Sequence, residues 1–263
     1  MRIALFFVML VLGAALGTQA TLHTQKLDYK EGGTVLEGYL AYDDAFTGRR
    51  PGVLVVHEWK GLSDYEMRRA DMLARLGYVA LAADVYGKGV RAKTTEEAAA
   101  LAGWYKKDRA LLRRRVIAGL KALKKDPRVD PDRVAAIGFC FGGTAVLELA
   151  RSGADLEGVV SFHGGLGLEP GEKDEPIKAK VLVLTGADDP SAPPPAVAAF
   201  EDEMRKAGAD YEVVSYGGAV HGFSNPAHGN DPKTGVAYNA EADRRSWQAM
   251  KDFLAEIFGA KGA

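Results

Sequence analysis

The 263-residue chain contains a single cysteine, Cys140, and no excess of either charge, with 34 Lys and Arg against 35 Asp and Glu. A single thiol cannot form a disulfide within the chain or supply a cysteine-rich metal site. It is therefore either a buried, unreactive side chain or a free thiol with a chemical function. Balanced charge gives no basic stripe of the kind that binds nucleic acid or an anionic membrane. We therefore expect neither nucleic acid nor a membrane surface as a partner, and no metal.

The chain also lacks an apolar run long enough for a comfortable membrane span. Arg2 precedes an uncharged apolar stretch over residues 3–16, and small residues follow up to Ala20. This pattern predicts a secretory signal over residues 1–20, cleaved near Ala20, and an exported protein that is periplasmic or secreted, without stable membrane association. The alternative is an uncleaved N-terminal anchor. No cysteine follows the cleavage site, so a lipid-anchored form is excluded.

Predicted strands and helices alternate over residues 21–263, which we interpret as one domain. Continuous apolar runs predict buried strands, and two capping boxes begin helices at Ser63 and Thr94. The pattern predicts an α/β fold with a mostly parallel central sheet and helices on both faces. Strands are expected at residues 25–30, 34–42, 53–57, 78–83, 133–137, 158–162, 180–185 and 211–216. Helices are expected at 63–77, 94–125 with a break near Gly103, 144–150, 196–207 and 241–258, and turns at 126–127 and 130–132.

Cys140 lies in the sequence Gly138-Phe139-Cys140-Phe141-Gly142-Gly143, between a predicted strand and a predicted helix. A nucleophile on such a turn has a strained backbone, and the flanking glycines permit strand and helix to approach closely. The helix N-terminus directs backbone N–H groups at the sulfur, which favours the thiolate. The pattern indicates a nucleophile elbow; the alternative is a small buried cysteine at an ordinary α/β turn.

Reactive side chains recur where the predicted parallel strands end, which is the catalytic edge of such sheets. Asp188 and Asp189 follow one strand and His221 follows another, so the chain order is nucleophile, acid, histidine. A histidine can take the thiol proton and an aspartate can orient the imidazole. The alternatives are a surface-loop histidine and a pair of turn-forming acids. His163 also ends a strand, as a pocket residue or a structural turn residue.

Four motifs of the chain lie where predicted strands end. They are Val56-His57-Glu58-Trp59-Lys60-Gly61, Gly138-Phe139-Cys140-Phe141-Gly142-Gly143, Gly186-Ala187-Asp188-Asp189 with Pro193, and His221-Gly222-Phe223. Taken together, they resemble the dienelactone hydrolase family over residues 36–258. The resemblance implies a single-domain α/β-hydrolase that cleaves esters or lactones without cofactor or metal, using Cys140, His221 and Asp189.

The resemblance also implies that Glu58 contacts the resting thiol and helps to generate the thiolate when substrate arrives. A carboxylate beside the thiol would keep it protonated, and so less prone to oxidation, until it is displaced. The alternative for Glu58 is a strand-end acid paired with Lys60. The resemblance further implies that the backbone N–H groups of Trp59 and Phe141 form the oxyanion hole.

The chain departs from the family where the substrate carboxylate would bind. An arginine of the type enzymes is replaced by Lys88, with Arg91 nearby as a substitute, and residues after the histidine are changed to Gly222 and Asn225. The loop over residues 224–239 is long enough to reshape the pocket as a lid. Four alternatives therefore stay open: a carboxylesterase or a thioesterase for neutral substrates, a binder without turnover, or a thiol redox sensor.

Overall fold

The computed structural model describes residues 21–167 and 175–259, which form one α/β domain around an eight-stranded sheet. The strand order is β1-β2-β4-β3-β5-β6-β7-β8, with β1, β2 and β4 joined antiparallel and the other pairs parallel. The fold predicted from the alternation of elements is therefore confirmed. The strands are β1 Leu22–Glu31, β2 Thr34–Asp43, β3 Arg50–Val56, β4 Val79–Ala83, β5 Val129–Phe139, β6 Gly158–Phe162, β7 Lys180–Gly186 and β8 Tyr211–Tyr216.

The predicted signal segment, residues 1–20, lies outside the described residues. Within the described ranges, none of the helices combines the length and the apolar character that a membrane crossing demands.

In the described part of the chain, six α-helices cover the two faces of the sheet. The apolar residues of α1 and α6 pack with one face, and those of α2, α3, α4 and α5 pack with the other. Because both faces are covered, the central strands are buried along almost their whole length, which explains their continuous apolar sequences. The helices are α1 Asp64–Arg75, α2 Thr95–Lys107, α3 Arg109–Lys124, α4 Phe141–Arg151, α5 Pro194–Ala207 and α6 Ala240–Phe258.

Helices α1, α2 and α3 begin after residues whose side chains cap the backbone, and no boundary lies at the glycine where a break was predicted. The predicted capping box of α1 is present, since Ser63 and Glu66 bond each other's backbone N–H groups. The predicted break near Gly103 is wrong: α2 continues through it and ends at Lys107. Asp108 then caps α3, with its carboxylate accepting from the Leu111 N–H. An N-cap carboxylate therefore ends one helix and begins the next.

The predicted turn at residues 130–132 is also wrong, because β5 begins at Val129 and runs through Pro131. Pro131 is tolerated because the pairing with β3 shifts register between Arg50 and Gly52, and proline is found in strands at such irregularities. The shift leaves the functional end of β5 unaffected, so Gly138 still pairs with Val56 at the carboxyl edge.

A buried ionic cluster ties α4 to α3. The carboxylate of Glu148 accepts hydrogen bonds from Arg109 and Arg113 of α3 and from Arg151 of its own helix, at 2.9–3.1 Å. All four residues are buried. The cluster fixes the helix that follows Cys140 against its neighbour.

Candidate active site

Cys140 occupies a strained turn between β5 and α4, with φ 53° and ψ −111°. Such a backbone is costly for a residue with a side chain and persists where the surroundings enforce it. Those surroundings admit only glycine: a Cβ on Gly138 would lie 2.0 Å from the Gly142 oxygen, and one on Gly142 would lie 2.2 Å from the Val56 oxygen. The turn therefore has the geometry that the sequence predicted for a nucleophile.

His221 and Asp189 complete a line of three side chains with Cys140. The Nε2 atom of His221 lies 3.1 Å from the Sγ atom of Cys140, and its Nδ1 atom lies 2.9 Å from the Oδ2 atom of Asp189. Asp189 is buried, whereas the neighbouring Asp188 is exposed. The structure thus brings together the three residues that the resemblance selected, and it places Asp189 rather than Asp188 beside the imidazole.

The imidazole of His221 is held in its charged form. Burial alone would lower its pKa, but the hydrogen bonds and negative charges of Asp189 and Cys140 outweigh burial and raise the pKa to about 10. The charged ring contacts the Asp189 carboxylate at 2.9 Å and the Cys140 sulfur at 3.1 Å. The sulfur therefore lies beside a positive charge, which is the kind of environment in which reactive cysteines occur.

The two predicted oxyanion-hole donors lie at positions where a backbone N–H has no partner in regular structure. Phe141 is the first residue of α4, so its N–H points out of the helix N-terminus. Trp59 follows β3 in a turn, and its carbonyl accepts from the Tyr86 hydroxyl at 3.0 Å. Within the described residues, no hydrogen bond uses either of these N–H groups. Both remain available for a developing oxyanion.

Glu58 does not make the predicted contact with the thiol. Its carboxylate instead accepts from the Asn225 amide at 2.8 Å and lies 3.2 Å from the His228 Nε2 atom. Both partners come from the loop after His221, and they occupy the two carboxylate oxygens while the sulfur faces His221. Among the described residues, no hydrogen bond joins the Glu58 carboxylate to the Cys140 sulfur.

Lys88 and Arg91, the predicted anchors for a substrate carboxylate, are paired with acids of the protein itself. The Lys88 Nζ atom lies 2.7 Å from Asp28 and 3.1 Å from Glu37 on the β1–β2 hairpin. The Arg91 guanidinium bonds the Leu62 and Val90 carbonyls and lies 3.8 Å from Asp84. These contacts give no support to either anchor, and the substrate role of both residues stays a prediction.

Two further histidines differ in their relation to the site. His57 is buried, and its ring bonds only the backbone of Glu58 and Val85, which indicates a structural role. His163 has φ 40°, is fully buried, and its Nδ1 atom accepts from the Cys140 N–H at 3.1 Å. The sequence places His163 at a strand end, which indicates a position near the site, but that position does not predict the hydrogen bond with the Cys140 N–H.

The chain is similar to hydrolases in sequence and in structure. The model of the dienelactone hydrolase family matches residues 36–258. A Bradyrhizobium protein named "Probable 2-oxo-3-(5-oxofuran-2-ylidene)propanoate lactonase" is 30% identical, over 88% of this chain and 94% of its own. A crystal structure described as a dienelactone hydrolase-like promiscuous phosphotriesterase from metagenomic libraries is 43% identical, with a TM-score of 0.85 over 90% of this chain and 99% of that one. A further solved structure, called m3DLH, is 41% identical with a TM-score of 0.86 and the same coverage.

Proposed function

The chain belongs to the dienelactone hydrolase family of ester and lactone hydrolases, and we propose that it works through a Cys140–His221–Asp189 triad and an acyl-enzyme. One observation carries the proposal: the Sγ, Nε2, Nδ1 and Oδ2 atoms form a continuous line with separations of 3.1 and 2.9 Å. Such a line of nucleophile, base and orienting acid is what acyl transfer to a thiol requires.

In the first half-reaction the Cys140 thiolate attacks the carbonyl carbon of the ester or lactone. The C–S bond forms as the carbonyl π pair moves to oxygen, and the N–H groups of Trp59 and Phe141 bind the oxyanion. The intermediate collapses to a thioester as the C–O bond breaks. His221 gives its Nε2 proton to the leaving oxygen, and Asp189 holds the ring in the tautomer that permits this.

In the second half-reaction water hydrolyses the thioester. Neutral His221 accepts a proton from water at Nε2 while the water oxygen attacks the acyl carbon. The second tetrahedral intermediate uses the same oxyanion donors, and its collapse breaks the C–S bond. The products are a carboxylic acid and the thiolate–imidazolium pair, so the chain's own residues close the cycle.

For the substrate class we favour neutral esters and lactones. Lys88 and Arg91 pair with acids of the chain, and the carboxylate of Glu58 lies beside the loop that carries His221. An anionic substrate would face this carboxylate and would have to compete with Asp28, Glu37 or Asp84 for its cation. These contacts support a carboxylesterase or lactonase for neutral substrates over a hydrolase for carboxylate-bearing substrates.

The test is hydrolysis of matched neutral and carboxylate-bearing p-nitrophenyl esters and lactones by the purified chain, beside Cys140→Ala. A p-nitrophenyl phosphotriester belongs in the panel, because a similar solved protein is described as a phosphotriesterase. We expect turnover of neutral esters that is lost in Cys140→Ala, and a mass increase of one acyl group on Cys140 after rapid acid quench.

Each alternative has its own result. Equal turnover by Cys140→Ala would refute the thiol nucleophile. An acyl adduct that is never released would favour a binder, and peroxide-sensitive oxidation of Cys140 without turnover of any ester would favour a redox sensor. A preference of more than about tenfold for the carboxylate-bearing esters would restore Lys88 or Arg91 as the anchor, since that ratio equals about 1.4 kcal/mol.

A further inference from the structure

Resting on the proposed triad, we propose that His163 is a positioning residue that, with Ser224, links the nucleophile turn to the loop of the base. The Nδ1 atom of His163 accepts from the Cys140 N–H at 3.1 Å, and its Nε2 atom lies 2.7 Å from the Ser224 Oγ atom. Ser224 follows His221 by three residues. One imidazole therefore spans the two chain segments whose separation sets the distance between Sγ and Nε2.

The hydrogen-bond network around His163 has a consistent set of donors and acceptors. Nδ1 accepts from the Cys140 N–H, so the ring proton is on Nε2 and is donated to the Ser224 hydroxyl. The Ser224 hydroxyl can donate in turn to the Tyr65 hydroxyl oxygen at 2.7 Å. The Tyr65 hydroxyl then donates to the Ser224 carbonyl at 3.2 Å. The Arg69 guanidinium also donates to this carbonyl, at 2.8 Å. Ser224 is thus fixed through both its side chain and its backbone.

The surroundings keep His163 in the neutral state that this network requires. Burial lowers its pKa well below the ordinary value, and the positive charges of His221, His228 and Arg69 lower it further. A second proton would place an N–H on Nδ1 against the Cys140 N–H and break the link. Since the rings of His163 and His221 are 5.4 Å apart, protonation would also set two cations side by side.

The backbone N–H of Cys140 is shared with a second acceptor, the Phe162 carbonyl at 3.0 Å. The turn therefore keeps this backbone hydrogen bond when His163 is replaced, so we expect the variant to fold. What His163 adds is the connection to Ser224, which Phe162 cannot supply. The role is in alignment of nucleophile and base, and it is separable from the stability of the turn.

The experiment is a double-mutant cycle with His163→Asn, Ser224→Ala and the double variant, with Ser152→Ala as the control. Asparagine tolerates positive φ and offers an acceptor in place of Nδ1, but its shorter side chain cannot place its NH2 donor at the position of Nε2 and so loses the bond to Ser224. Ser224→Ala keeps the carbonyl that Tyr65 and Arg69 bind. Ser152→Ala likewise removes one serine hydrogen bond, to the Leu149 carbonyl, but at the far end of α4.

We expect each single variant to lower kcat on a neutral ester by about 10- to 100-fold, with KM changed less than about threefold, since misplacement of about 1 Å can cost 100-fold. The double variant should be no slower than the slower single variant within about twofold, because both residues act through one link. Ser152→Ala should stay near wild type. Losses that multiply in the double variant, or wild-type kcat with only a lower melting temperature, would overturn the proposal.

Alkylation of Cys140 by iodoacetamide gives a second readout that needs no ester turnover. A misaligned pair should slow alkylation at pH 6 by about fivefold or more, but only slightly at pH 9.5, where an ordinary thiol is already ionised. If the wild-type chain hydrolyses nothing, the proposed function fails, and the alkylation rates still decide the role of His163. Identical rates at pH 6 in the wild type, the two single variants and the double variant would refute that role.

Discussion

The charge on His221 depends on its neighbours Asp189 and Cys140, and this dependence can be measured directly. The pKa rise from 6.5 to about 10 favours the imidazolium by roughly 5 kcal/mol, at about 1.4 kcal/mol per pKa unit. Burial opposes this rise. Asp189 and Cys140 each contribute one hydrogen bond and one opposite charge to it. Wild-type His221 should therefore remain charged at neutral pH and lose its proton as the pH rises through about 10.

Cys140→Ser removes the sulfur's charge and keeps a hydrogen-bonding group in its place. Opposite charge raises the pKa of a histidine, so its loss must lower that pKa. If the two neighbours contribute about equally, the pKa of His221 should fall by at least about 2, to about 8 or below. The burial of the ring, which opposes the charge, is unchanged by the substitution.

The assay is a pH titration of the imidazole nitrogens by long-range ¹H–¹⁵N correlation NMR, with His221 assigned by the signal lost in His221→Gln. Ser152→Ala serves as a control because it changes one small side chain at the far end of α4, away from the site. If His221 in Cys140→Ser still titrates near pH 10, the sulfur is not its charged partner, and the thiolate–imidazolium description is wrong.

Three further predictions concern stability, each measured by urea unfolding. Burial, and to a smaller extent the charge of Glu58, raises the pKa of Glu66 to about 7. Because the folded state favours the protonated acid, the free energy of unfolding should fall by roughly 3 kcal/mol as the pH rises from about 4.5 through 7. Glu66→Gln should flatten that decline. Glu148→Ala should lower the free energy of unfolding by about 3–5 kcal/mol, because buried arginines lose their carboxylate partner. Glu241→Ala, at an exposed ion pair, should lower it by less than about 1 kcal/mol. Equal losses in the two variants would contradict a stabilising role of the buried cluster. Gly142→Ala, whose Cβ would meet a backbone oxygen at 2.2 Å, should abolish turnover and destabilise the fold, whereas Gly103→Ala, in open space on α2, should stabilise it by about 0.5–1 kcal/mol.

Most of the fold could be predicted from the sequence because local rules decide it. Ser63 and Glu66 lie close enough in sequence to cap α1 without help, and the apolar runs of β3 and β7 need only a covered sheet. Where two local signals competed, the prediction chose the weaker one. The helix break moved from Gly103 to Asp108 because a capping carboxylate outweighs a glycine that clashes with nothing.

Part of the site could be predicted from local sequence patterns, and part of it could not. Cys140, Asp189 and His221 could be predicted because strand ends meet at one edge, whatever the loops do. The contacts of Glu58 with Asn225 and His228 span 167 and 170 residues and depend on how one long loop folds back. The contact of His163 with Ser224 spans 61 residues and has no local signature. Such contacts follow from three-dimensional placement, which strand and helix patterns do not specify.

Cys140, Asp189 and His221 follow three different strands, and 81 residues separate the thiol from the imidazole. In the unfolded chain the thiol has no imidazole beside it, and the contact forms only when β5, β7 and β8 have assembled. The chain's single thiol is therefore a chemical reporter of folding. A pulse of iodoacetamide at mildly acidic pH during refolding would label only molecules whose sheet has closed through its last strand. The rate at which labelling appears would time the final step of folding.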